Sequence, residues 1–164
     1  MTYYRVNRTF EKIQEEKRLD KALSALEATS CSITDENVDS IVCDLAGTFR
    51  SIYKRNAISA ASKLLWIRHQ APAVIYDDNA YQFLKKTYDG KLKVRDYPKY
   101  RREWLTQFEK RKDCIHSACV ELVRVKDFSL AETVDDDGLT RLVGNKWFRE
   151  RVFDKYLLWN GEGT

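Results

Sequence analysis

Val38-Asp39-Ser40-Ile41-Val42-Cys43-Asp44-Leu45-Ala46-Gly47-Thr48-Phe49-Arg50-Ser51-Ile52 is the stretch whose reading decides the fold class. Val38, Ile41, Val42, Leu45, Phe49 and Ile52 recur three and four positions apart, with Asp39, Ser40, Asp44, Thr48 and Arg50 between them. Side chains at those intervals share one face of an α-helix, so one stripe is buried and the opposite face is solvated. A half-buried strand would instead alternate with a period of two. Thr34 or Asp35 stands where a side-chain oxygen can accept the free N–H groups of the first turn. Tyr53-Lys54-Arg55-Asn56 reads as a polar interruption after this core helix.

The helical period extends in both directions. Upstream, Thr9 to Ala28 sets Phe10, Ile13, Leu19, Leu23 and Leu26 roughly on one side, and Thr29-Ser30-Cys31-Ser32 breaks the pattern with poor helix formers. Downstream, Ala57 to His69 carries Ile58, Ala61, Leu64, Leu65 and Trp66, with small residues that permit close helix approach. Pro72 stops it, having no N–H to donate. Ala73 to Tyr76 is apolar but too short for a sheet, and reads as a buried extended link. Asp77 then occupies the cap position of a helix that runs through Ala80, Tyr81, Phe83 and Leu84 to about Tyr88, where Asp89-Gly90 ends it. A long helix begins at Pro98, a residue suited to a first turn, and extends to near Lys126. Its stripe is Tyr100, Trp104, Phe108, Ile115, Cys119 and Leu122. Glu132 and Asp135-Asp136-Asp137-Gly138 read as an acidic turn. The last helix spans Asn145 to Trp159 and is so apolar that burial on more than one side is expected, with Gly161 closing it. The fold expected is all-α: a single domain over residues 1–164, built as a bundle of about six helices.

Composition narrows the function classes. Of 164 residues, 43% are hydrophobic and 12% aromatic, enough to build a core and to exclude disorder throughout. Six Gly and two Pro are too few for a collagen-like or turn-rich β architecture. No apolar run reaches the roughly 18 residues of a membrane span. Met1-Thr2-Tyr3-Tyr4-Arg5 lacks a signal-peptide core, so the cytoplasm is the expected compartment. Cys31, Cys43, Cys114 and Cys119 have neither CxxC nor iron–sulfur spacing and are read as reduced thiols. With only His69 and His116 beside them, no metal or other cofactor is expected. A Gly-rich phosphate loop is absent as well.

A net charge of +4 and a pI near 8.8 permit a nucleic-acid partner without demanding one. The positive charge concentrates between residues 91 and 112, where Lys91, Lys93, Arg95, Lys99, Arg101, Arg102, Lys110 and Arg111 face few acidic neighbours. Tyr100, Trp104 and Phe108 interleave with them, but their spacing of four assigns the rings to the core and the cations to a solvated face. That face can meet phosphates.

The segment Ser59-Ala60-Ala61-Ser62-Lys63-Leu64-Leu65-Trp66-Ile67-Arg68-His69, followed by Pro72 and Val74-Ile75-Tyr76-Asp77, joins a Lys on an apolar helix, an apolar link and an Asp at a helix start. This arrangement resembles the helix-hairpin-helix DNA glycosylase superfamily, in particular its oxoguanine-glycosylase-like branch. It is similar, more closely still, to small uncharacterised bacterial helical proteins with a Ser-Lys-Leu-Leu helix, an Ile-Tyr-Asp link and a closing Asp-x-x-Leu-Trp helix. The closing element here would run from Arg151 through Asp154 to Leu158-Trp159-Asn160-Gly161. The resemblance covers residues 58–81 well, the last helix loosely and the first fifty residues not at all. It implies a helix-hairpin-helix bundle and a catalytic pair, with Lys63 as the amine that attacks a sugar carbon and Asp77 as the carboxylate that assists it. The stretch matching the family's hairpin, Asn56 to Ser62, carries no Gly, and the Lys63-to-Asp77 spacing is shorter than the family's.

The function expected is therefore binding of DNA or RNA by a relative of the glycosylases in which catalysis has degenerated. A lesion-processing enzyme using Lys63 and Asp77 is one alternative. A non-enzymatic helical module that docks a protein partner through complementary acidic and basic patches is another.

Overall fold

In the computed structural model, the described residues are 19–29, 32–54, 57–87, 92–122, 124 and 135–161. They form seven α-helices: α1 (Asp20–Ala28), α2 (Val38–Tyr53), α3 (Ile58–His69), α4 (Asp78–Thr87), α5 (Tyr97–Glu121), α6 (Asp136–Gly144) and α7 (Lys146–Gly161). No strand occurs among the described residues, so the all-α expectation holds. Phe10, Ile13, Glu132 and the Asp89-Gly90 terminator lie outside the described residues, as does Lys91.

The buried hydrophobic side chains make one cluster. Helix α5 runs through it and packs against α2, α4, α6 and α7, while α2 also carries α1 and α3. The most extensive pairing is between α4 and α7. Trp104 of α5 stacks on Phe108 at 5.3 Å and meets Phe153 of α7 edge-on at 5.0 Å, so the α5–α7 contact is largely aromatic. Such rings bury large areas and favour these offset and edge geometries.

Several local expectations change. In α2 the stripe finishes on Tyr53, which is buried, while Ile52 is only half-buried; Lys54 ends the helix in the left-handed region at φ 57°. Neither Thr34 nor Asp35 caps α2. Asn37 occupies the cap position without a side-chain bond to the first turn; its Oδ1 instead accepts the N–H of the preceding Thr34 at 2.8 Å. Asp35 instead pairs with Arg101. The acidic stretch is the start of a helix: Asp135 Oδ1 accepts the Gly138 N–H at 2.6 Å, and Leu139 and Val143 of α6 are buried. The apolar pattern of this short helix is masked in sequence by its three acidic leading residues, which suit a helix N-terminus. Helix α7 buries one stripe only, Glu150, Phe153, Asp154, Leu157 and Gly161, and leaves Trp159 on the surface.

The link of residues 73–76 lies in no helix or strand, and it is buried as expected. The Ala73 N–H donates to the Gln70 carbonyl at 3.2 Å, and the peptide groups of Val74, Ile75 and Tyr76 bond to side chains. Tyr97 Oη accepts the Val74 N–H at 3.1 Å and donates to the Val74 carbonyl at 2.8 Å. Tyr100 Oη donates to the Ile75 carbonyl at 3.0 Å, and Ser62 Oγ accepts the Tyr76 N–H at 2.9 Å. Tyr76 Oη in turn accepts the Arg95 N–H at 3.2 Å.

Burial pushes the phenol of Tyr76 up to about 12 and raises those of Tyr97 and Tyr100 as well. Because each folded-state value lies above the unfolded value of about 10, the neutral phenols contribute stability that is complete below that pH. That stability is lost as pH rises through the folded-state values. Alkaline titration followed by tyrosinate absorbance and far-ultraviolet circular dichroism should show these phenols ionising only together with loss of helix, above about pH 10. Full tyrosine ionisation with intact helical dichroism would contradict the link's hydrogen bonding.

Candidate functional site

The Ser62–Tyr76 hydrogen bond sets the register between α3 and the link. Lys63 follows Ser62 and Asp77 follows Tyr76, and the two side chains meet with Nζ 3.3 Å from Oδ2. Asp77 Oδ1 accepts the Asn79 N–H at 3.0 Å and its carbonyl accepts the Tyr81 N–H at 2.8 Å, so it is the cap the sequence called for. One carboxylate oxygen is thus fixed by the start of α4 and the other is turned to the amine. The side chains are 14% and 25% exposed, so the pair is shielded from bulk water yet reachable.

Both line a groove of about 720 Å³ between α3 and α4 on one side and α6 and α7 on the other. Helix α3 also contributes Trp66, and α7 contributes Trp147, Phe148, Arg151, Asp154, Lys155, Leu158 and Trp159. The Arg151 guanidinium lies over the Trp66 ring, 4.6 Å from its centroid, and pairs with Asp154. Asp154 in turn accepts the Trp104 indole N–H at 2.7 Å, which ties the groove floor to the α5 aromatic core. The close approach of α7 to α4 depends on Gly161, where a Cβ would overlap the Asn79 carbonyl group. The lining therefore holds three cations and two carboxylates among three indoles. Phosphate, aromatic rings and a carbonyl carbon opposite the Lys63 amine are the chemistry such a set can engage. Among the described residues no group of three His, Cys, Asp or Glu side chains converges to hold a metal ion.

The cations named from the sequence fall elsewhere. Lys93, Arg95, Lys99, Arg102 and Lys110 are exposed on the approach to α5 and along it. Arg111 is half-buried and donates to the Gln107 side chain. Arg101 is a correction: its side chain is 8% exposed and faces inward, bridging Asp35 and Asp39, with Nε donating to the Pro72 carbonyl at 3.3 Å. A guanidinium so committed is a structural tie and leaves the phosphate-facing set. None of these residues lines the groove.

The sequence reading missed Arg151, Lys155 and the three indoles as site residues. A signal was present. Trp147, Arg151, Lys155 and Trp159 recur every four positions, a second stripe of α7 in which two cations are flanked by two indoles. Comparison of the chain with protein-family models, curated proteins and solved structures finds no match.

Asp77→Ala removes both the cap and the ion pair and should lower unfolding free energy by about 1–2 kcal/mol. Asp77→Asn keeps an oxygen for the cap and should cost well under half as much. Equal losses in thermal or urea unfolding would show that the bond to Lys63, rather than the cap, holds the start of α4.

Proposed function

We propose that this protein binds nucleic acid, that the groove is its principal site, and that its bundle is of the helix-hairpin-helix glycosylase type. One observation carries the reading: Lys63, Arg151 and Lys155 share a single groove with Trp66, Trp147 and Trp159. Cations attract the phosphate backbone, and the indole faces of Trp147 and Trp159 can stack on bases, whereas Trp66 is buried beneath the Arg151 guanidinium. The two groove carboxylates each have a cation beside them, Asp77 with Lys63 and Asp154 with Arg151, and Lys155 is a third cation in the lining. Lys93, Arg95, Lys99, Arg102 and Lys110 supply further positive charge outside the groove, where backbone contacts need no shaped site.

Fluorescence anisotropy with labelled oligonucleotides across a salt series tests this. Binding should weaken linearly on a log–log plot, and Lys155→Ala should reduce the salt slope by about 1, the loss of one phosphate contact. No binding at low salt would overturn the reading and leave the protein-docking alternative.

A second reading is favoured by the 3.3 Å contact of Lys63 with Asp77: lesion-processing chemistry on the sugar of an abasic nucleotide. In this reading Asp77 accepts the proton that the amine sheds as it adds. The amine adds to the open-chain aldehyde carbon, and water leaves to give an imine. Borohydride would reduce that imine to a stable amine, so incubation with abasic DNA and borohydride should yield a covalent adduct that Lys63→Ala abolishes. An adduct that survives the substitution would exclude Lys63 as the nucleophile.

A further inference from the structure

The groove is concave, and at its rim Trp159 is 79% exposed on the last turns of α7. Tyr156, 42% exposed on the same helix, is held parallel to Phe153 at 6.1 Å and edge-on to Phe83 at 5.7 Å, so the helix beneath Trp159 is firmly seated. Lys155 lies four residues before Trp159, on the same side of α7. Paired bases present only their edges to a protein, and those edges are read by an element that projects into a duplex groove. A depression lined with indoles offers no such projection. It can engage a base only by its face, which a single strand leaves open and a duplex covers. Resting on the nucleic-acid reading above, we propose that the ligand of this groove is single-stranded nucleic acid. Trp159 stacks on an unpaired base, and Lys155 meets the adjoining phosphate. Stacking of this kind is tolerant of base identity, so discrimination is by strandedness rather than by sequence.

The test uses the full chain with a fluorescein-labelled oligothymidylate, alone and annealed to its complement, at one low salt concentration. The single strand should bind at least about tenfold more tightly than the duplex, the weight of one lost stack. Trp159→Ala should weaken single-strand binding by about 5- to 100-fold and duplex binding by much less. Trp159→Phe, which keeps an aromatic face, should recover part of the loss. Because Trp159 is so exposed, thermal unfolding of both variants should match the parent chain, which separates a lost stack from a lost fold. Duplex binding as tight as single-strand binding, or undiminished single-strand binding by Trp159→Ala, overturns the single-strand assignment while the nucleic-acid reading stands. Absence of binding by either form overturns both.

Discussion

Four residues of non-helical backbone, Ala73 to Tyr76, lie buried among helices with no strand among the described residues beside them. Each buried peptide group without a partner would cost about 1–3 kcal/mol, a large fraction of a small protein's net stability. Hydroxyl groups meet this requirement: Tyr97 serves both polar atoms of Val74, Tyr100 serves Ile75 and Ser62 serves Tyr76. The position of the first turn of α5 follows from that need, because its two tyrosines must reach the link. The register of α3 follows too, because Ser62 must face Tyr76. The meeting of Lys63 with Asp77 is then a consequence of the same bond one residue further on.

Charge placement obeys a similar economy. Arg101 stands within a basic run yet is drawn inward by Asp35 and Asp39 and by the Pro72 carbonyl. Burial still pushes the Asp39 carboxyl above its ordinary value, against the pull of Arg101, so this tie joins α5 to α2 at a real desolvation cost. The other cations are divided between an exposed face at α5, with Lys93, Arg95, Lys99, Arg102 and Lys110, and the groove beside α7, which Lys63, Arg151 and Lys155 line.

Much of the fold was legible. The α2 stripe, the long aromatic stripe of α5, the buried link and the Asp77 cap all follow from spacing and capping chemistry, which act within a few residues. The site was legible in part. Lys63 and Asp77 stand out in the sequence as a pair, whereas the densest basic run lies just before and along α5 rather than on α7. The α7 segment is rich in both aromatic and charged residues, and composition does not say which of its faces meets the core. Its buried stripe includes Glu150 and Asp154, and its exposed one ends on Trp159, the reverse of what polarity suggests.

The sequence by itself determined that this chain is helical, where most helices run, and which residue caps α4, because periodicity and capping are properties of neighbouring residues. Tertiary structure alone decided that Arg101 turns inward, that Asp154 is buried beneath the Trp104 indole N–H, and that Trp159 stands at the rim of a groove. Those outcomes depend on which helices approach one another and how closely. Gly161 against Asn79 shows why: the α4–α7 distance that shapes the groove is set by a contact between residues far apart in the chain.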